Sequence, residues 1–337
     1  MSGTPDSDEP GDADSVAEAS ESEFREALVP VKSHGQRLDV ALVQIVPEFS
    51  RSYLQQLIES GAISYNGLEQ TKSSAKVKAG DRLSIELKPT PQSQAFRPEY
   101  MALDIVHEDA HVLVLNKPAG LVVHPAPGNW SGTLLNGLLA RDPLAVMLPR
   151  AGIVHRLDKD TSGLMVVART RQAMDQLVQM IAARQVNRQY MALAHNAWQG
   201  AKTRTVDLPV GRDTKNRLRM ATVDLAKTPG KTASTTITLL ENGTNCCLVR
   251  CKLHTGRTHQ IRVHMAAVGH ALLADELYGG LFAGGLQRQA LHACELAFEH
   301  PATGKPVNFK SPISADIQAA VAQMGLSYNR FSFVEGV

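Results

Sequence analysis

The chain has 337 residues, 43% hydrophobic and 5% aromatic, with 35 Lys and Arg against 33 Asp and Glu and a formal charge of +2. That length suits one large core plus a smaller domain. No stretch approaches the roughly 18 consecutive apolar residues of a membrane span, and no basic start leads into an apolar run, so neither membrane insertion nor export is expected and a cytoplasmic location is.

The charge is unevenly spread. Eight Asp or Glu and no Lys or Arg fall in the first 24 residues, among Ser, Gly and Pro, which reads as a disordered acidic tail over residues 1–30. Without those acids, 35 basic face 25 acidic side chains, +10 for residues 25–337, and a polyanionic partner becomes plausible. Cys246, Cys247 and Cys251 crowd one apolar stretch, with Cys294 apart, which is no disulfide framework and fits a reducing compartment.

A helical pattern begins near Arg37, with Leu38, Leu42 and Ile45 on one face, and a second follows Ser50 with Leu54, Leu57 and Ile58, ending at Gly61. Ile63 and Tyr65 then alternate before the turn Asn66-Gly67, and residues 82–87 read as a further strand. Two short helices on a small sheet are expected over residues 31–88. Pro89, Pro91 and Pro98 mark a linker over 89–100. A larger domain over 101–325 opens with the β-rich runs at Ile105 and Val112 and continues through mixed strands and helices. These include a helical spacing over 171–186 and a basic loop from Arg212 to Lys231, with a tail at 326–337. The fold class is α+β, a small helix-plus-sheet domain followed by a mixed, largely antiparallel-sheet domain.

The sharpest local signal is His155-Arg-Leu-Asp-Lys-Asp-Thr-Ser-Gly163, followed by the apolar strand Leu164–Ala168. It sets Asp158 beside Arg156 and Lys159. Neighbouring cations keep a carboxylate ionised, ready to act as nucleophile or base. Taken alone, such a turn reads more readily as a solvated ion-pair cluster, since charged turns are everyday features. His254, His259, His264 and His270 invite a metal, but on a helix starting near Thr258 the pair His259 and His264 is five apart, not the four a zinc pair wants. Gly230-Lys-Thr lacks the earlier glycine of a phosphate loop, and no dinucleotide fingerprint appears. No metal and no nucleotide cofactor is expected. The basic stretch Arg212, Lys215, Arg217, Arg219, Lys227 and Lys231 reads as a phosphate-contacting loop or a solvated face.

The run I-V-H-R-L-D-K-D-T-S-G-L-M-V-V-A resembles the catalytic motif of the RluA/RluD family of pseudouridine synthases. Three further segments agree in the family's order: N-K-P-A-G-L-V-V-H-P from Asn116, T-G-R-T-H-Q-I-R-V-H-M from Thr255, and A-L-H-A from Ala290. The first domain resembles the small RNA-binding domain shared with ribosomal protein S-four, so the likeness covers roughly residues 35–315.

The resemblance implies isomerisation of uridine in RNA. The bond from ribose to base nitrogen is broken, the uracil turned, and a bond made through carbon 5, with no cofactor needed. Asp158 matches the essential aspartate. Arg156 matches the arginine that fills the gap left by the flipped uridine, an extrusion costing about a few kcal/mol. Tyr190 matches the tyrosine lying against the target base, and Arg262 the arginine that pairs with the aspartate, with Arg257 a second candidate. Leu291 matches an apolar residue beneath the base. His155 and Lys159 complete the expected RNA contacts near the loop, and Arg37, Arg51, Lys72, Lys76 and Lys78 those of the first domain. Within the family the chain resembles the RluD branch, partly through H-P-A-P-G-N-W from His124. That branch implies large-subunit ribosomal RNA as partner, at the stem-loop facing the small subunit; separately, a monomer is expected. Sibling enzymes acting on other ribosomal sites or on transfer RNA share the same motifs, and two readings of another class compete. A noncatalytic assembly protein is opposed by the intact aspartate, tyrosine and arginine, and a glycosidase needs two carboxylates where only Asp160 neighbours Asp158.

Overall fold

The computed structural model describes residues 23–88, 95–216 and 218–327, and the chain divides into two compact units between Gln94 and Ala95. In the first, helix α1 (Leu38–Ile45) buries Leu38, Ala41 and Leu42, and helix α2 (Arg51–Glu59) buries Leu54, Leu57 and Ile58, the spacing of a one-sided helix. Ser50 caps α2 by accepting the Tyr53 N–H at 3.3 Å. Gly61, at φ +74°, turns the chain out of it. The helices share their core with a four-stranded antiparallel sheet of order β1-β4-β2-β3, formed by β1 (Glu23–Leu28), β2 (Ile63–Tyr65), β3 (Leu68–Glu69) and β4 (Arg82–Leu87). Asn66 and Gly67, both at positive φ, make the tight turn from β2 to β3.

The second unit is built on strands β5 (Asp104–Glu108), β6 (Val112–Lys117), β7 (Ser162–Ala168), β8 (Asn187–His195), β9 (Thr203–Val206), β10 (Val210–Arg212), β11 (Met220–Thr222), β12 (Gly230–Lys231), β13 (Thr235–Asn242), β14 (Cys246–Leu253), β15 (Leu291–Glu299) and β16 (Pro306–Lys310). Its helices are α3 (Leu134–Arg141), α4 (Arg171–Ala182), α5 (Gln260–Ala267) and α6 (Ala315–Gln323). Nine strands form one sheet of order β5-β6-β7-β15-β8-β14-β13-β9, with β16 on β15. Every pairing is antiparallel except that of β7 with β15. Side chains alternate across the sheet. Leu113, Leu115, Met165, Tyr190 and Ala192 enter one core with α3 and α5, whereas Val112, Val114, Val166, Met191 and Leu193 face the other way, toward residues of α4 and α6. With both faces covered, all seven residues of β7 are buried. Strands β11, β10 and β12 make a separate small sheet. Among the described residues no helix is long and apolar enough to cross a membrane.

The structure redraws several expected boundaries. The tail expected over 1–30 reaches into described structure, because Glu23–Leu28 is a strand paired with β4 along its whole length; residues 1–22 lie outside the described residues. The linker expected over 89–100 ends sooner: Asn136 Nδ2 donates to Ala95 O and, at 2.8 Å, to Arg97 O, tying that segment to α3. At the other end Leu326 is buried. The helical spacing over 171–186 stops at Ala182, and the basic loop from Arg212 contains β11 and β12, with Arg217 outside the described residues.

Candidate active site

Asp158 stands on the loop between a left-handed kink at Arg150 and Ala151 and the start of β7. Four ties fix this loop. The Val166 N–H donates to His155 Nε2 at 3.0 Å; Leu157 is buried; and the Lys159 carbonyl accepts both Gly120 N–H and Lys117 Nζ, each at 2.9 Å. Arg288 Nη1 donates to the Asp160 carbonyl at 2.8 Å. A flexible turn is thereby held as a rigid mount, which is what a positioned carboxylate requires.

Arg262, the third residue of α5, donates from Nη1 to Asp158 Oδ2 at 3.2 Å. Its Nε and Nη2 grip Asp275 in a two-pronged pair at 2.8 Å each. Burial works against a guanidinium charge, but the Asp275 and Asp158 carboxylates outweigh it and hold the Arg262 pKa above its ordinary value. The Tyr278 ring lies 4.9 Å from the same guanidinium. Tyr278 Oη accepts Met220 N–H at 2.9 Å and meets His259 Nδ1 at 2.7 Å. His259 Nε2 lies 3.9 Å from Asp158 Oδ2. Burial lowers the His259 pKa even though Asp158 opposes the shift, so the ring is held neutral. One carboxylate oxygen is engaged in this way, while Asp158 Oδ1 accepts no hydrogen bond among the described residues.

In front of Asp158 lies a cavity of about 330 Å³, within the roughly 300–1,000 Å³ of small-molecule sites. Tyr190 and Leu291 form part of its wall. The register of β8 with β15 pairs Tyr190 with Ala293 and Ala192 with Leu291, so all four share one face of the sheet. Burial pushes the Tyr190 hydroxyl up to about 12, with Arg188 pulling the other way, and the phenol is neutral at pH 7. Asp158 is the one carboxylate among the described residues lining the cavity, against the guanidiniums of Arg156, Arg184, Arg188, Arg257 and Arg262. A single carboxylate in a basic pocket suits a nucleophile or base acting on a polyanion.

Known proteins are similar to this chain in both units. Residues 111–267 match the family model described as RNA pseudouridylate synthase, and residues 36–83 match the S4 domain. A ribosomal large subunit pseudouridine synthase D of Neisseria meningitidis serogroup B is 46% identical over 92% of this chain and 84% of its own. Namesakes from Xanthomonas campestris and Pseudomonas aeruginosa are 42% and 43% identical, over 93% and 87% of this chain and 96% and 93% of theirs. The chain belongs to the RluA/RluD family of pseudouridine synthases. It is an RNA pseudouridine synthase, an isomerase. Among solved structures, human RNA pseudouridylate synthase domain containing 1 is 28% identical with a TM-score of 0.50, over 63% of this chain and 83% of its own. Human RNA pseudouridylate synthase domain containing 4, at 24% identity and a TM-score of 0.52 over 67% of this chain and 94% of its own, shares the fold.

Within this synthase the structure brings Asp158, Tyr190, Arg262, Arg156, His155, Leu291 and Arg257 onto one cavity. Arg257 is turned to a different partner, its Nε donating to Thr232 O at 3.1 Å. Burial pushes the His155 pKa down to about 3, and with Nε2 accepting from Val166 the ring serves the loop. Lys159 is exposed and does not line the cavity. His259 precedes α5 at φ +55° rather than riding on a helix with His264, whose Nδ1 and Nε2 instead meet Thr235 Oγ1 and Leu208 O, each at 2.9 Å. In the first unit, Arg37 and Arg51 both hydrogen-bond the fully buried Asp39, joined by Gln55. Burial alone would raise the Asp39 pKa, but these donors hold it well below the usual carboxylate range. Lys72, Lys76 and Lys78 are exposed, and Arg37 bridges to Lys76 across the backbone.

Sequence reasoning missed Asp275, Tyr278, Lys117 and Arg188. Lys117 lies inside the recognised N-K-P segment, and Arg188 two residues before Tyr190, so both were within reach of strand periodicity. Asp275 and Tyr278 carry no local signal, since their partners are set only by the fold.

Proposed function

We propose that this synthase isomerises uridines of large-subunit ribosomal RNA at the stem-loop facing the small subunit, with Asp158 as the catalytic carboxylate. The observation that carries the reading is Arg262, clamped by Asp275 and presenting its remaining nitrogen to Asp158, which keeps one carboxylate oxygen engaged and leaves the other facing an open cavity. The target uridine is flipped into that cavity. Arg156, exposed at its rim, takes the vacated place in the RNA. Asp158 then starts the reaction against the ribose, by attack at carbon 1 or by removal of a ribose proton; both routes use the carboxylate that Arg262 holds in place. The nitrogen–carbon bond breaks, the uracil turns over Leu291, and carbon 5 joins the ribose. Tyr190, against the base, takes part in removing the proton that carbon 5 must lose while the former glycosidic nitrogen gains one. Lys72, Lys76 and Lys78, with the solvent-facing edges of Arg37 and Arg51, supply phosphate contacts from the first unit. The names of the curated relatives support the ribosomal target. Release of free uracil is disfavoured because Asp160, the neighbouring acid, is absent from the cavity lining, whereas glycosidases work with paired carboxylates.

The test is to incubate the protein, and an Asp158→Ala variant, with large-subunit RNA and map pseudouridine by chemical tagging and primer extension. Aspartate-dependent product in the intersubunit stem-loop is expected. Product elsewhere would move the target, and tight binding without product would indicate a noncatalytic assembly protein.

A further inference from the structure

We propose that Arg188 forms the floor of an anion subsite in the same cavity and takes one phosphodiester of the RNA strand that carries the flipped uridine. The inference rests on the uridine-flipping reading above and adds the placement of the strand. Arg188 sits on β8 two residues before Tyr190, so the period of the strand puts both on the cavity face. It is only 8% exposed, yet its enclosed Nε has no acceptor and no carboxylate pairs with it among the described residues. The other buried charged side chains of this unit are all matched: Lys117 by three carbonyls, Arg262 by two carboxylates, Asp275 by Arg262 and Asp213 by Arg219. A buried guanidinium without a counter-charge is unfavourable by itself, which marks Arg188 as a group whose partner is not part of the chain.

The surroundings fit a phosphate. A side chain at Gly256 would bring its Cβ to 2.7 Å from Arg188 Nη1, so glycine there leaves room for the guanidinium beside the loop that precedes α5. Arg184, just past α4, and Arg257 line the cavity with it. The one acid of the lining, Asp158, is already engaged by Arg262, so the charge of these three arginines is uncompensated and is focused in the cleft. Uridine itself is neutral. The anions it brings are its phosphodiesters, whose two free oxygens match the parallel N–H groups of a guanidinium.

A double cycle decides the matter. Target RNA carries a neutral methylphosphonate at one linkage at a time around the reactive uridine, with the preceding sugar 2′-O-methylated, and is compared with the same 2′-O-methylated RNA bearing a normal phosphodiester. Wild type and Arg188→Met are compared for single-turnover rate and, in an Asp158→Ala background, for dissociation constant, so the cycle is readable even if turnover is absent. At one linkage, neutralisation is expected to weaken wild type at least tenfold and to leave Arg188→Met unchanged, with Arg188→Lys in between and all variants melting as wild type does. If the losses multiply at every linkage, or no linkage matters to wild type, the subsite is overturned. Missing aspartate-dependent product overturns instead the reading of the reaction.

Discussion

Replacing Lys117 by methionine separates the two duties of a buried lysine. Lys117 is fully buried, and its Nζ donates to the carbonyls of Pro118, Leu121 and Lys159 at 2.7, 3.0 and 2.9 Å. Burial pushes its pKa from the ordinary 10.5 down to about 8, equivalent to about 3 kcal/mol against the charged form. Methionine removes that penalty but leaves the carbonyls without this donor, at about 1–3 kcal/mol for each acceptor not otherwise satisfied. Lys159 O keeps Gly120 N–H as a second donor, so two acceptors bear most of the loss. The opposing effects nearly offset, and the net loss of stability at pH 7 should stay below about 3 kcal/mol. Turnover should fall much further, on the order of a hundredfold, because one of the ties that set the position of the Asp158 loop is gone. The pH profile supplies an independent sign. The folded pKa lies below the unfolded one, so between about pH 8 and 10.5 the unfolded chain binds the extra proton, and raising pH favours the folded state. Below about pH 8 both states carry the charge and the difference is constant. Urea unfolding from pH 7 to 10.5 should therefore show wild type gaining up to about 3 kcal/mol on Lys117→Met across that window. Parallel profiles together with unchanged single-turnover rates would refute this account of Lys117.

Asp275→Asn takes the charge from the carboxylate that clamps Arg262; a loss of about 2–4 kcal/mol in urea unfolding and at least a tenfold slower single turnover are expected, and wild-type rates would show that Arg262 needs no clamp. Gly163→Ala places a Cβ 2.3 Å from Ala293 O at a residue with φ +114°, so the pairing of β7 with β15 cannot form as it is; a thermal melt near that of wild type would contradict the close approach. Lys72→Ala with Lys76→Ala should leave stability within about 0.5 kcal/mol while lowering RNA affinity and flattening its salt dependence by about 0.7–0.9 per lost phosphate contact. Fluorescence anisotropy at several salt concentrations measures it, and an unchanged slope would place the RNA elsewhere on this unit.

What was legible in the sequence is what local chemistry dictates. Leu54, Leu57 and Ile58 behind Ser50 state a capped one-sided helix, and Asn66-Gly67 between apolar alternations states a hairpin, so α2 and the turn from β2 to β3 could be read directly. Strand β1 could not: its Phe24 and Leu28 are exposed, no residue of it is fully buried, and only the backbone partner β4 makes it a strand. Strands β10 and β12, three and two residues long, are too short to show a period. Around the site, the motif located Asp158, Tyr190 and Arg262. The clamp on Arg262 was invisible because Asp275 meets it only through the fold. Lys117 was passed over because lysine is rarely a buried residue, and the carbonyl that links it to the Asp158 loop, that of Lys159, is brought to it only by the fold.

The order of strands in the large sheet also sets when the enzyme can exist. Strands β5, β6 and β7 come from an early part of the chain and β8, β14, β13 and β9 from a later one, while β15, which stands between β7 and β8, is synthesised after all of them. Asp158 belongs to the first group and Tyr190 to the second, with Arg262 on the helix that follows β14. A nascent chain halted just before Leu291 has every one of these reacting groups and lacks the strand that joins their two halves. The sheet that carries Asp158 and Tyr190 is therefore completed only once β15 has been made, near the end of the catalytic unit.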